Sequence, residues 1–243
     1  MKRLGLVLTM MCLALGCTAQ QQETDVFNTA SGKTVKITCI KHASIMVEYD
    51  DKVIYFDPVT RLEPQTDFTS WPKANFIFIT HEHFDHFDSM ALTELRRKHT
   101  VIYSNPNVHA QWNSSLVMAN GDKAEVDENI TVEAVPAYNT TAGHEQYHPK
   151  GRDNGYILTI EDLRIYVAGD TEDIPEMADI KDIDIAFLPC NQPFTMTPEQ
   201  LAKAAKTIKP KVLFPYHYSD TPIRKISMLL GGSGIDVRIR SYK

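Results

Sequence analysis

A single α/β domain built from two similar β-rich halves is the fold class this sequence predicts, and three observations carry it. Short runs with strand character recur through both halves, helix-type patterns are interspersed among them, and no composition break, low-complexity stretch or long linker divides the chain. The length of 243 residues, 43% of them hydrophobic, is enough to bury one substantial core. A formal net charge of −6 lacks the basic surplus that neutralising phosphates requires, so a general nucleic-acid binder is disfavoured.

Taken in order, Lys2 and Arg3 precede an apolar run from Leu4 to Leu15 that reads as a secretory signal peptide, too short to span a bilayer. Gly16 directly before Cys17, followed by a polar stretch, resembles the lipobox of bacterial lipoproteins. That resemblance implies a signal over residues 1–16, lipidation of Cys17, a tether over 17–33 and a folded domain over 34–243. The expected localisation is export and lipid anchoring to a bacterial membrane, in the periplasm or on the cell surface. Of the remaining cysteines, Cys39 and Cys190 sit in apolar strand contexts and are expected as buried thiols.

Alternation predicts short antiparallel strands at 35–39, 45–49 and 53–56, then a Pro- and Thr-containing loop from Asp57 to Lys73. The run Phe76-Ile77-Phe78-Ile79 reads as a strand buried on both faces, ending on Thr80-His81. Asp88 or Ser89 caps a helix carrying Leu92 and Leu95, and 101–104 forms the next strand. Pro106 opens a helix whose apolar stripe is Val108, Trp112 and Leu116. After the Asn120-Gly121-Asp122 turn come strands at 130–137, 156–160, 164–168 and 185–188. Thr197-Pro198-Glu199-Gln200 has the pattern of a capping box, opening a helix with Leu201, Ala204, Ala205 and Ile208 on its buried side. A strand at 212–214, a helix at 223–230 and a strand at 235–239 complete the chain.

The strongest chemical signal is His81-Glu82-His83-Phe84-Asp85-His86, placed immediately after the buried strand. In extended or turning backbone, residues two apart point the same way, so His81 and His83 can grip one ion together. Asp85 and His86, past the turn, can face a second ion. Asp57, after an earlier strand, is a candidate partner for a ligating histidine.

This run resembles the H-x-H-x-D-H signature of the metallo-β-lactamase-fold superfamily. Gly169-Asp170-Thr171 and Pro215-Tyr216-His217, each after a strand, resemble that superfamily's later motifs. The resemblance spans about 34–243 and implies an αββα sandwich, a single domain with its metal site at one edge between two sheets. It further implies His81 and His83 on a first ion, Asp85, His86 and His217 on a second, and Asp170 bridging both. The residue that completes the first metal site is open among His148, His144 and Asn139. The stretch His148-Pro149-Lys150-Gly151 resembles a branch of small metal-dependent hydrolases related to an ascorbate-phosphate lactonase-like group, which favours His148.

The expected cofactors are two divalent ions per chain, zinc first, with manganese or iron compatible with nitrogen and oxygen donors. A metal-held hydroxide would then cleave a small ester, lactone or phosphodiester, with Asp85 orienting it and taking up its proton. Lys150 and Arg152 are candidates for recognising a carboxylate or phosphate on the substrate. Trp71, Phe194, Tyr216 and Tyr218 are candidate pocket residues. Expected partners are a small-molecule substrate and, through the anchor, a membrane. Two other classes compete. One is a non-catalytic metal-binding surface lipoprotein; the other is a diiron redox protein, which His83 and the lack of a flavin domain disfavour.

Overall fold

The computed structural model describes residues 23–242. The signal over 1–16, Cys17 and the start of the expected tether lie outside the described residues. Two seven-stranded mixed sheets face each other. The first runs β1 (Glu23–Asn28), β2 (Thr34–Lys41), β3 (Ser44–Tyr49), β4 (Lys52–Phe56), β5 (Phe76–Ile79), β6 (Val101–Ser104) and β7 (Leu116–Val117), in that spatial order. The second holds β8 (Lys123–Asp127), β9 (Ile130–Ala137), β10 (Asp153–Ile160), β11 (Leu163–Val167), β12 (Ile185–Pro189), β13 (Val212–Tyr216) and β14 (Asp236–Val237), again in chain order. Each sheet has four antiparallel strands followed by three added in parallel. The two halves therefore repeat one topology, with crossovers wherever a parallel strand is added.

The inner faces of both sheets supply one core, in which Ile37, Val47 and Phe78 of the first meet Val132, Leu158 and Phe187 of the second. On the outer side of the first sheet, α1 (Ser89–Leu95) packs Leu92 and Leu95 against Ile77 and Ile79 of β5. This is why β5 is apolar at every position: both of its faces are covered. On the outer side of the second sheet, α3 (Pro198–Ile208) packs Leu201 and Ala205 over Ala186 and Leu188. The layers are helix, sheet, sheet, helix, the αββα sandwich.

Caps fall where the sequence places them. Asp88 accepts from Met90 N at the start of α1. Thr197 Oγ1 accepts from Gln200 N at 3.1 Å while Gln200 Oε1 accepts from Thr197 N at 2.8 Å, completing the capping box of α3.

Four expectations need correcting. The tether assigned up to residue 33 is too long, because β1 pairs along β2 from Glu23 opposite Cys39 to Asn28 opposite Thr34. Its pattern is inverted: Val26 points outward, while buried Asp25 is forked by Arg238 and Arg240, so β1 carries no apolar alternation to read. The helix α2 (Pro106–Gln111) stops before Leu116, which lies in β7. Ser115 Oγ donates to Trp112 O there, the local competition that makes a Ser-Ser pair a poor helix continuation. Strand β8 is additional, with mostly polar and half-exposed residues. At the C-terminal end, α4 (Lys225–Leu229) and β14 are shorter than the runs 223–230 and 235–239.

Candidate metal centre

The site collects where strands end along one edge between the sheets. Past β4, Asp57 takes a left-handed backbone conformation with φ of 42° and turns its carboxylate under the end of β5. Its Oδ1 accepts from Thr80 N at 2.8 Å, and its Oδ2 accepts from Thr80 Oγ1 at 2.6 Å and from His86 Nδ1 at 2.8 Å. Proton positions follow. Thr80 Oγ1 gives its proton to Asp57, so its 3.0 Å contact with His81 Nδ1 places the imidazole proton on Nδ1 and leaves His81 Nε2 bare. His86, donating through Nδ1, turns its Nε2 towards Asp170. Asp57 thus orients two histidines at once.

His148 arrives from the other half, in the loop between β9 and β10. Its Nδ1 donates to Phe194 O at 3.0 Å, which again leaves Nε2 bare. His81 Nε2 and His148 Nε2 both converge on His83 Nδ1, at 3.0 and 3.2 Å. One imidazole proton cannot serve two lone pairs. Nitrogens held about 2.0–2.1 Å from a tetrahedral ion lie about 3.3–3.4 Å apart, so this trio has the spacing of a metal cradle.

A second cluster joins His42, Asp85, His86 and His217. His217 Nε2 lies 3.5 Å from Asp85 Oδ2, and His42 Nε2 donates to that same oxygen at 3.0 Å. Asp170 sits between the clusters. Its Oδ1 is 3.2 Å from His86 Nε2, and its Oδ2 is 3.3 Å from His217 Nε2 and 3.4 Å from His148 Nε2. The turn that delivers it requires Gly169, which has φ of +66° and no room for a Cβ, since Asn154 O would stand 2.7 Å away. Three donor atoms facing this site, His86 Nε2, Asp170 Oδ1 and His217 Nε2, are buried with no hydrogen-bond partner. Buried polar atoms left unpaired are costly, and a cation among them removes that cost. The residues present fit divalent metal binding.

The electrostatics of the two clusters differ. Burial and the His86 imidazole push the protonation of His81 well below its usual range, and burial brings His148 to about 4. Burial also opposes protonation of His86 and His217, but neighbouring Asp170 outweighs it, raising His86 well above its ordinary value and His217 to about 9. Burial pushes the Asp85 carboxyl up, yet the imidazoles of His86, His217 and His42 hold it below the usual carboxylate range. His42 itself is lowered to about 4, by burial and by His217.

Among the three candidates left open for the first cluster, the structure brings only His148 to His83. His144 Nδ1 turns to Glu172 Oε1 at 3.3 Å, and Asn139 Nδ2 donates to Phe194 O. Buried Glu172 holds this loop through Thr140 N, Thr140 Oγ1 and Thr141 N. Lys150 and Arg152 are not brought to the site. Lys150 Nζ pairs with Glu176 at 2.7 Å and Arg152 is forked onto Asp153, and neither lines the cavity in front of the cluster. Phe194 and Tyr218 do line it, whereas Tyr216 is buried in the core and Trp71 packs on Phe68.

His42 is the residue that sequence reading missed. It follows β2 in a tight turn, with φ of 45°, at a strand end like His81, Asp170 and His217. That placement was the available signal, but a lone histidine before Ala43-Ser44 forms no local motif.

Comparison with known proteins identifies relatives of this fold. A sequence model described as "Beta-lactamase superfamily domain" matches residues 36–217. The UPF0173 metal-dependent hydrolase YtkL of Bacillus subtilis is 31% identical over 202 residues, covering 78% of this chain and 88% of its own length. A solved structure described as a metal-dependent hydrolase from Parabacteroides distasonis is 52% identical, with a TM-score of 0.89 over 92% of this chain and 100% of that one. Igni18, a metallo hydrolase from Ignicoccus hospitalis, is 26% identical with a TM-score of 0.72, covering 85% of this chain and 95% of its own.

Proposed function

This chain belongs to the metallo-β-lactamase superfamily, in its branch of metal-dependent hydrolases, and from that premise we propose that it cleaves a small ester, lactone or phosphodiester using two divalent metal ions, zinc first. One observation carries the reading: seven donor residues from both halves converge at one edge between the sheets, and three of their inward-facing buried donor atoms have no partner. In this proposal His81, His83 and His148 would hold one ion, Asp85, His86 and His217 would hold the other, and Asp170 would serve both. Such ions supply Lewis acidity and a hydroxide nucleophile near neutral pH.

The chain's own residues do the rest. Asp57 and Phe194 O fix the ring orientations that keep His86 Nε2 and His148 Nε2 facing inward. Asp85 lines the cavity, and its carboxylate takes the nucleophile's proton while His42 Nε2 steadies Oδ2. Substrates and products enter and leave through that cavity. Export and anchoring through Cys17 belong to the same proposal; the mass of the mature protein should then begin at a diacylated Cys17, and a mature mass retaining residues 1–16 would contradict it.

Elemental analysis joined to assays tests the hydrolytic reading. About two zinc ions per chain are expected, with turnover lost on chelation and restored by added zinc. Full occupancy with no turnover across ester, lactone and phosphodiester panels would leave metal binding alone.

A further inference from the structure

The wall of the cavity facing the donor clusters has a chemistry of its own. The cavity measures about 900 Å³, the size of a drug-like ligand site. Beside the donor residues, the lining holds Leu62, Pro64, Phe84, Tyr147 and Phe194. Phe84 and Phe194 are 62% and 40% exposed at its mouth, and the Tyr147 and Phe194 rings meet edge to face at 5.0 Å. The phenol of Tyr218, also in the wall, donates to Arg240 O at 2.6 Å, which leaves its ring as the lining surface.

Outside the donor clusters, the lining offers little free positive charge. Lys41 is the only lysine or arginine among the lining residues. Its ammonium is buried and directed to three backbone carbonyls, those of Leu62 at 2.8 Å, Arg61 at 3.5 Å and Pro64. An ammonium has three donors, so all are used within the chain. Glu63 and Asp220, both exposed, add negative charge at the rim. Arg61 and Arg152, the nearest alternatives in sequence, are paired with Asp88 and Asp153.

We infer that the substrate is an uncharged carboxylic ester or lactone carrying an alkyl or aryl substituent that lies against this wall, and that phosphodiesters and carboxylate-bearing esters are disfavoured. The inference rests on the hydrolytic reading above and narrows it. In the reaction, the oxygen of water forms a bond to the carbonyl carbon. The carbon–oxygen bond to the alkoxy group then breaks, its electron pair leaving on that oxygen, which takes a proton. The products are an acid and an alcohol from an ester, or one hydroxy acid from a lactone.

The test compares nitrophenyl acetate, butyrate and hexanoate with a nitrophenyl ester ending in a carboxylate and with bis(nitrophenyl) phosphate, on the zinc-loaded full protein. The expected kcat/KM rises with chain length, approaching about fourfold for each fully buried methylene, and falls at least tenfold for the carboxylate-ended ester. Phe194→Ala flattens the rise. Phe84→Lys, at a position exposed enough to leave folding intact, raises the relative turnover of the carboxylate-ended ester. A flat series, or a preference for the phosphodiester, overturns the inference while the hydrolytic reading stands. Binding of unhydrolysable phenyl alkyl ketones, followed by calorimetry in the same samples, separates the two failures. If no ester is cleaved but ketone affinity climbs with each methylene, the hydrolytic reading fails and the apolar cavity is upheld; if the ketones bind without chain-length dependence, the cavity inference falls.

Discussion

The two donor clusters are built from opposite materials. His81, His83 and His148 form a cradle of imidazoles alone, each of the outer two fixed from behind by a neutral oxygen, Thr80 Oγ1 or Phe194 O. Asp85, His86, His217 and His42 form a cluster steeped in carboxylate charge, with Asp57 behind His86 and Asp170 in front of it. The first cluster offers lone pairs and little charge; the second has negative charge that asks for a cation. The comparison teaches that one edge of one fold can gather two donor clusters of different character, with Asp170 lying between them beside His81 and His86.

That shared position gives the largest expected effect. Asp170→Ala should reduce the metal content of both clusters and bring hydrolysis to the background rate, while circular dichroism shows a folded domain. Retained turnover would mean the clusters do not act as a unit. Next come the single-cluster variants. His148→Ala and His217→Ala should each lower zinc by about one ion per chain, and His144→Ala should lower it not at all. Equal losses from His144→Ala and His148→Ala would contradict the placement of His148 in the cradle.

Asp57→Asn sharpens the contrast at a smaller scale. Losing the carboxylate behind His86 is expected to weaken metal affinity by about 10–100-fold, chiefly in the carboxylate-rich cluster. Competition titrations with a coloured chelator would resolve a two-step curve in which one step alone has moved; a parallel shift of both steps would count against it.

The smallest effect concerns the loop that brings His148 to the cradle. Burial pushes the Glu172 carboxyl up, but hydrogen bonds from Thr140 and Thr141 outweigh it and hold it at about 2 against an ordinary 4.5. A lowered carboxyl favours the folded state above pH 4.5, and that contribution is lost as pH falls towards 2. Denaturant melts of the metal-free protein should therefore lose stability more steeply across that window than those of Glu172→Gln, and superimposable slopes would remove Glu172 as the loop's anchor.

The same contrast explains what could be read from the chain beforehand. His81 to His86 stand in one six-residue run after an all-apolar strand, so their chemistry is legible locally. Asp170 and His217 come from two separate strand ends of the second half and His148 from the loop between β9 and β10, and only their resemblance to family motifs singles them out. His42 has neither advantage, since its partner Asp85 lies 43 positions away. In the fold, elements with apolar patterning or caps, such as β5 and α3, were read nearly to the residue. Edge strands β1 and β8 were not, because their stability comes from pairing and from contacts such as Asp25 with Arg240, and those leave no periodic trace. Lys150 and Arg152 illustrate the converse: flanking a site residue in sequence did not bring them to the cavity, because Glu176 and Asp153 claim them first.

The most direct test of the paired-cluster account is a crystal structure of the zinc-soaked protein with anomalous data at the zinc edge. The account predicts two peaks, one within bonding reach of His81, His83 and His148, the other of Asp85, His86 and His217, and both in contact with Asp170. A single peak, or a peak bound through His144 in place of His148, would contradict it.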